Sequence, residues 1–151
     1  MKILLAVDGS PCSESAVGEV AGRPWPPNSE VRVISVVEPH TTMTAEPWVA
    51  SENYFEEVEK IESDEAKRAV DRAKATLAKG EGTAKLQLTG DIRHGSARRV
   101  IIEEAETWSA ELIVLGSHGY KTWERLLLGS VSQAVALHAG CSVEIVRRKQ
   151  S

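Results

Sequence analysis

Short, almost wholly apolar runs that end at turn residues constrain the fold of this chain more than any other feature. The first run is KILLAVD (2–8), and AELIVLGS (110–117) repeats the pattern in the second half of the sequence. Both runs are far shorter than a membrane-spanning helix. A brief apolar run bounded by turn residues is typical of a strand buried on both faces of a parallel sheet. The sequence therefore predicts a sheet that is covered by helices.

Helical patterns separate these strands. The segment GSPCSESAVGEVAGR follows the first run, with Ser10 as the candidate N-cap and Pro11 at the first helical position. A long amphipathic helix is predicted over 52–79, where apolar residues recur at mostly three- or four-residue spacing. Two more helices are predicted, one over 95–109 and one in SVSQAVALHAG, which Gly140 closes at the C-cap position.

Three more strands complete the pattern. They are EVRVISVVE (30–38), a strand around 84–88, and CSVEIVRR near the end, while 39–51 carries two prolines and is predicted to be a loop. Strands that alternate with helices through right-handed crossovers form a doubly wound sheet. The prediction is one α/β domain over 1–151, with a five-stranded parallel sheet and helices on both faces.

Composition and charge narrow the class of protein. The formal net charge is -4 and the pI is about 5.6, so no electrostatic footprint for nucleic acid is present. Cys12 and Cys141 have no C-x-x-C spacing and no neighbouring histidine cluster, so neither a disulfide framework nor a zinc site is indicated. The first apolar run meets Asp8 too early for a signal peptide. We expect a cytoplasmic protein with no membrane and no nucleic-acid partner.

The segment GSHGYKTWERLLLGSVS (116–132) carries the clearest functional signal. Its glycines are spaced G-x2-G-x9-G and are followed by serine. In doubly wound sheets, ligands bind beyond the carboxyl ends of the strands, where Asp8 ends the first strand and Gly116 ends the fourth. Gly116 and Gly119 suit a positive φ or close backbone approach, and Gly129 precedes a helix whose free N–H groups attract anions. Together these features predict a phosphate cradle.

Side chains near these glycines extend the prediction. The hydroxyls of Ser130 and Ser132 are candidate donors, and Lys121 and Arg125 are candidates to neutralise phosphate charge. The segment matches neither the Walker pattern nor the Rossmann fingerprint. One glycine alone would indicate only turn chemistry, so the prediction depends on the whole spacing.

The motifs LIVLGSHG and LLLGSVS, together with ILLAVDGS and ISVVE, closely resemble the ATP-binding branch of the universal stress protein family. The resemblance covers essentially the whole chain, and the family's nucleotide motif G-2x-G-9x-G-[ST] is matched in full. It implies an adenine nucleotide alpha hydrolase-like fold that binds ATP, with AMP or ADP as alternatives and Mg or Mn beside the phosphates. It also implies a stress-response binding module that forms a homodimer along its last strand; the client protein is unknown.

The resemblance also implies roles for individual residues. Asp8 would be the carboxylate beside the ribose or the metal, with Ala6 and Val7 beside the adenine, and Val36 would pair with the adenine edge through its backbone. The phosphates would be held by Gly116, Gly119, Gly129 and Ser130, with Ser117 and His118 in the intervening loop and Val131 and Ser132 completing the pocket.

Other interpretations stay open. Asp8 could serve only as a structural cap, and His118 is assigned no catalytic role because no carboxylate or nucleophile is visibly paired with it. The competing class is an enzyme, either a slow ATPase or a nucleotidyl-transfer protein of the same fold. A receiver domain is disfavoured because Asp8 has no acidic neighbour and Asp91 alone is insufficient.

The last strand departs from the family pattern at two positions. Ser142 stands where the family usually has proline, and Glu144 interrupts an otherwise apolar strand. In a dimer joined along this strand, two facing carboxylates would repel, so we predict a register that brings Glu144 to Arg147 or Arg148 of a second copy. The alternative is that Glu144 keeps the strand edge solvated and the protein monomeric.

Overall fold

A computed structural model describes residues 1–39, 52–119 and 128–148. Along them strands and helices alternate as the sequence predicts. In chain order the elements are β1 (Lys2–Ala6), α1 (Pro11–Gly22), β2 (Glu30–Val37), α2 (Glu52–Lys79), β3 (Gln87–His94), α3 (Ala97–Trp108), β4 (Leu112–Gly116), α4 (Ser130–His138) and β5 (Ser142–Val146).

The five strands form one sheet in the order β3-β2-β1-β4-β5, and every neighbouring pair is parallel. The predicted fold class is therefore confirmed. β1 lies at the centre, where Leu5 is in register with Val33 of β2 and Val114 of β4. The chain moves outward from β1 in one direction through β2 and β3 and in the other through β4 and β5. This reversal creates a crevice at the carboxyl ends of β1 and β4, where ligands bind in such folds.

Helices cover both faces of the sheet. Leu4 and Leu5 are both 0% exposed, and they point to opposite faces because side chains alternate along a strand. Leu5 packs in a cluster with Val17 of α1 and Leu77 of α2, whereas Leu4 packs in a second cluster with Ile101 of α3. Burial on both sides explains why β1 is a continuous apolar run.

Several predicted element boundaries are wrong, and the largest difference is the end of β3, which lies at His94 instead of around residue 88. β3 begins at Gln87 instead of around residue 84, because Thr83 folds back and its hydroxyl donates to the Leu77 carbonyl at 2.5 Å. The third helix begins at Ala97 instead of residue 95. The C-cap of α4 is Ala139, in an extended conformation with φ -66°, so Gly140 lies beyond the cap and needs no left-handed geometry.

Glu144 has a partner within its own chain. Arg23, just after α1, donates to both carboxylate oxygens of Glu144 at 2.7 Å and also pairs with Glu19. The carboxylates of Glu144 and Glu19 raise the pKa of Arg23, and Glu144 has the larger effect. Glu144 is therefore already neutralised within its own chain, and the register that would bring it to Arg147 or Arg148 of a second copy stays a prediction.

Several sequence predictions fall outside the described residues. These are the loop over 39–51 beyond Pro39 and the cations Lys121 and Arg125. Within the described ranges, no helix is long and apolar enough to cross a membrane. Both cysteines are free thiols, as expected, and burial raises the pKa of the Cys141 thiol.

Candidate functional site

The turn after β1 and the loop after β4 meet at the crevice. The Ser10 hydroxyl in the first turn donates to the His118 carbonyl in the second at 3.3 Å. On the same side, a Cβ atom placed on Gly119 would lie 2.8 Å from Asp8 Oδ2. Asp8 and the glycine segment are thus direct neighbours, although more than 100 residues separate them in sequence.

Asp8 takes part in a network within the first turn. The Ser10 N–H donates to Asp8 Oδ1 at 2.9 Å, and the Asp8 N–H donates to the Ser13 hydroxyl at 3.1 Å. Gly9 adopts φ 78°, a left-handed conformation that favours glycine. One carboxylate oxygen of Asp8 therefore orders the turn, while the other lies on the side of Gly119. The side chain is exposed, so it has both a structural contact and a surface open to a ligand.

Gly116 is needed for helix packing. A Cβ there would lie 2.7 Å from both the Cys12 carbonyl carbon and the Ser13 nitrogen, closer than real Cβ contacts allow. Glycine at this position lets the first turn of α1 pack against the end of β4. This packing role was not predicted, and the role of Gly116 as a point of phosphate approach stays a prediction. Gly116, Gly119 and Gly129 do not adopt a left-handed conformation. Among the described glycines, only Gly9 and Gly95 do so.

Gly129 opens α4 without a side chain to cap it. It adopts φ -62°, and its N–H donates to the Ser117 carbonyl at 2.8 Å. Within the described part of the chain, no side-chain hydrogen bond caps the first turn of α4. Ser130 is exposed at the first helical position. Among the described residues, the helix start therefore has backbone N–H groups without a side-chain cap, next to one exposed hydroxyl.

Ser132 is a support for this loop. It is 2% exposed, and its hydroxyl lies 2.9 Å from the carbonyl oxygens of both Ser117 and Gly129. A hydroxyl has a single hydrogen to donate, and both neighbours here are acceptors. The expectation that Ser132 offers a free donor to phosphate is therefore wrong.

Among the described residues, one ring nitrogen of His118 has no hydrogen-bond partner. Its Nδ1 lies 3.1 Å from the Ser117 hydroxyl, whereas Nε2 is buried and has no hydrogen-bond partner among the described residues. Buried polar atoms in native proteins are nearly always hydrogen-bonded, so an unpaired one calls for an explanation. A polar ligand group at the crevice would provide the missing partner.

The apolar site candidates belong mainly to the core. Ala6 and Val7 are 8% and 5% exposed, and the Val7 N–H is already donated to the Ile34 carbonyl at 2.9 Å. Val36 and Val131 are partly buried and pack against the cluster beneath α3 and α4. What these residues can offer a ligand is a backbone group or a small apolar surface, as the resemblance implied for Val36.

A cavity of about 480 Å³ adjoins Asp8 on the side of α2. Asp8, Gly9, Glu65, Arg68 and Arg72 line it. Nothing in the amphipathic pattern of α2 indicated this cavity. Residues at i, i+3 and i+7 share one stripe of a helix, but helical spacing does not reveal which stripe faces β1.

The described residues of the site offer few groups for metal binding or nucleophilic attack. Within the described ranges, no group of three or more His, Cys, Asp or Glu side chains is placed to hold a metal ion. Ser117, the hydroxyl nearest to His118, is 2% exposed and so is poorly placed to attack a ligand. The site combines an exposed carboxylate, an uncapped helix start and buried supporting serines.

A doubly wound parallel sheet with this crevice defines an α/β protein of the class whose ligands bind at the topological switch point. The family model for the universal stress protein family matches residues 1–147. This chain belongs to the universal stress protein family.

Individual relatives agree with this assignment. The universal stress protein Rv1996 of Mycobacterium tuberculosis is 32% identical, over 95% of this chain and 47% of its own length, so the chain spans about half of that relative. The structure of the hypothetical protein MJ0577 is 27% identical with a TM-score of 0.82, and the match covers 99% of this chain and 97% of that one.

Some structures of similar fold contain nucleotides. A universal stress protein in complex with cAMP is 21% identical with a TM-score of 0.68, and the match covers 99% of this chain and 98% of that one. An Arabidopsis thaliana family member with AMP bound is 15% identical with a TM-score of 0.68, covering 99% and 92%. The Archaeoglobus fulgidus protein with dAMP is 21% identical with a TM-score of 0.66, covering 97% of each chain. At these identities the likeness establishes the fold alone.

Proposed function

We propose that this chain binds ATP at the crevice between β1 and β4 and acts as a nucleotide-dependent stress-response switch. The observation that carries the proposal is the meeting of Asp8 with Gly119, next to a helix start that lacks a capping side chain. A carboxylate suits ribose hydroxyls, and free N–H groups at a helix start suit phosphate. The crevice thus combines acceptors for a sugar with donors for an anion.

The residues present fit a nucleotide. Gly119 and Gly129 have no side chain that would occupy the space at the loop. Ser130 adds an exposed hydroxyl at the start of α4. Nε2 of His118 is a buried polar atom without a hydrogen-bond partner among the described residues. A magnesium or manganese ion would be held by phosphate oxygens together with Asp8, since Mg²⁺ commonly binds through one or two carboxylates and substrate phosphates. Bound in this way, the metal would neutralise phosphate charge.

Structures of similar fold that contain cAMP, AMP and dAMP support an adenine nucleotide as the ligand class. The full glycine spacing of this chain supports ATP within that class. Identification of the nucleotide that copurifies with the protein, by chromatography or mass spectrometry, tests both levels. Recovery of a non-adenine ligand from the crevice would contradict the proposal.

Asp8→Asn is the sharpest variant for this site. It keeps an oxygen that can accept from the Ser10 N–H but removes the negative charge. If Asp8 contacts the ribose, the affinities for ATP and adenosine should both fall about tenfold, or about 1.4 kcal/mol, by isothermal titration. If Asp8 acts only through a metal, the affinity for ATP should fall and that for adenosine should not. Unchanged binding of both would return Asp8 to a purely structural role.

Gly119→Ala tests the same contact from the opposite side. The new Cβ would lie 2.8 Å from Asp8 Oδ2 and would displace the carboxylate without removing it. We expect ATP affinity to fall about tenfold, which corresponds to about 1.4 kcal/mol. Gly140→Ala is the matched control, because a Cβ there meets nothing within 4 Å.

Hydrolysis, if it occurs, should be slow. The described residues show no nucleophile paired with a general base, so turnover would depend on phosphate positioning and a metal alone. A turnover number of about 1 per second or faster, in the ordinary range for enzymes, would favour the competing ATPase interpretation.

We also propose a homodimer that pairs along β5. This strand is at the edge of the sheet, and Val143 and Ile145 remain only partly buried on it. Unpaired backbone groups on an edge strand favour pairing with a second copy. Because Arg23 neutralises Glu144, this charge does not oppose pairing, and Glu144→Leu should leave the dimer intact. A monomeric wild type in light scattering would contradict the proposal.

A further inference from the structure

One face of α2 adjoins the crevice through the cavity beside Asp8. Glu65, Arg68 and Arg72 lie on one stripe of the helix, at i, i+3 and i+7. The stripe is next to Ala69 and Ala73, which are 2% and 1% exposed and pack in the cluster shared by α1 and α2. The buried alanines thereby fix the rotation of α2 and bring both arginines to the cavity.

Arg72 shows which part of α1 this stripe faces. Its guanidinium lies 3.4 Å from the carboxylate of Glu14, which is in the first turn of α1. The first turn of α1 directly follows Asp8 and Gly9, which form the opposite wall of the cavity. The cavity therefore lies between α2 and the start of α1. Asp8 lines this cavity and also lies next to Gly119.

Both guanidinium groups are available to a ligand. The Arg72–Glu14 pair is weak because its side chains are 54% and 43% exposed, and exposed pairs contribute little to stability. Arg68 is exposed and has no ion pair among the described residues. Guanidinium groups bind phosphate through paired N–H donors, and the start of α1 adds the partial positive charge of a helix N-terminus.

We infer that Arg68 and Arg72 of α2 bind the phosphate chain of the nucleotide and set the preference for ATP over nucleotides with fewer phosphates. This inference rests on the proposed nucleotide site. The carboxylates of Asp8 and Glu65 also line the cavity and balance the charge of the arginines. The cavity therefore does not bind every anion equally. It favours a ligand that places hydroxyls at Asp8 and phosphate at the arginines.

Titration of adenosine, AMP, ADP and ATP into the wild type, Arg68→Gln, Arg72→Gln and the double variant tests the inference. Arg98→Gln is the matched control: it removes the same charge from α3, on the opposite face of the sheet, where Arg98 is exposed. We expect each single change to weaken ATP about fivefold and the double change about twentyfold, with adenosine unchanged, because an ion pair between exposed groups contributes up to about 1 kcal/mol.

The outcomes separate the two proposals. If the wild type binds none of the four ligands, the proposed function fails. If the wild type binds ATP and the double variant behaves like Arg98→Gln toward every ligand, only the inference is overturned. Equal losses for adenosine and ATP would also overturn it, because they would show that the arginines act on the adenosine part or on the fold. Thermal melting of each variant confirms that binding is measured on folded protein.

Discussion

Two helices begin at the crevice, and their first turns are built in opposite ways. α1 starts after Ser10, which is 1% exposed and accepts from the Ser13 N–H at 3.3 Å. α4 starts after Gly129, which has no side chain, and its first residue, Ser130, is exposed. The first turn of α1 is thus closed by the chain itself, whereas that of α4 is left open.

This difference assigns two roles within one site: the start of α1 supports the fold, and the start of α4 offers groups to a ligand. The capped start of α1 packs against the end of β4 and carries Asp8 on a turn held by backbone and serine contacts. The open start of α4 keeps donors that an anion can use. Hence a change in the first turn of α1 should reduce the stability of the fold, whereas a change at the exposed groups that begin α4 should reduce the affinity for the ligand.

The largest effect is expected at Gly116, where α1 meets β4. Gly116→Ala would place a Cβ 2.7 Å from the backbone of Cys12 and Ser13, and overpacking of this kind should lower the free energy of unfolding by about 3 kcal/mol. Gly18→Ala, inside α1 with nothing within 4 Å, should instead leave stability unchanged or raise it by about 1 kcal/mol. Urea unfolding measures both. Equal stability of the two variants would show that β4 does not need glycine for packing.

Ser10→Ala should come next. It removes the acceptor for the Ser13 N–H and the donor to the His118 carbonyl, and loss of such a cap should lower the free energy of unfolding by about 1.5 kcal/mol. The same urea titration applies. Ser15→Ala is the control within α1, because Ser15 donates only to the Pro11 carbonyl in its own helix. If Ser10→Ala weakened ATP binding without a loss of stability, the first turn of α1 would belong to the binding surface.

Ser132→Ala tests the support beneath α4. Loss of its hydroxyl should lower the free energy of unfolding by about 1 kcal/mol, because the Ser117 carbonyl keeps its bond from the Gly129 N–H. The ratio of ATP to adenosine affinity should stay constant. A selective loss of ATP affinity would instead mean that this hydroxyl reaches the ligand.

Ser130→Ala should change stability least, by less than about 0.5 kcal/mol, because the side chain is exposed. Its effect should appear in binding, where loss of one hydrogen bond to phosphate should weaken ATP about tenfold without affecting adenosine. Calorimetric titration of both ligands measures this. Normal ATP affinity would remove Ser130 from the site and would leave the backbone N–H groups as the donors of α4.

The sequence predicted the order of elements well because each element has its own local signal. β1 and β4 are short apolar runs, and the start of α1 was recognised correctly from Ser10 and Pro11. β3 was misplaced because it is an edge strand: of its residues, Gln87, Thr89 and Asp91 are exposed, so the apolar pattern that marks a buried strand is weak there.

The candidate site was predicted less evenly. The sequence placed Asp8 near the glycine segment because the carboxyl ends of parallel strands share one edge of a sheet. It missed the packing role of Gly116, which depends on atoms far away in the chain, and it misjudged Ser132, whose role depends on the direction of one hydroxyl. It also did not identify Arg68 and Arg72, since their helix spacing is equally compatible with a solvated surface.

By itself, then, the sequence determined the alternation of strands and helices, the parallel sheet and the family, because apolar periodicity and motif spacing are properties of neighbouring residues. Only the tertiary structure decided which glycine serves packing, which serine is free and which stripe of α2 faces Asp8. Those outcomes depend on contacts between segments such as α1 and β4, which are about 100 residues apart in sequence. Such segments come close together only when the hydrophobic clusters on the two faces of the sheet have packed.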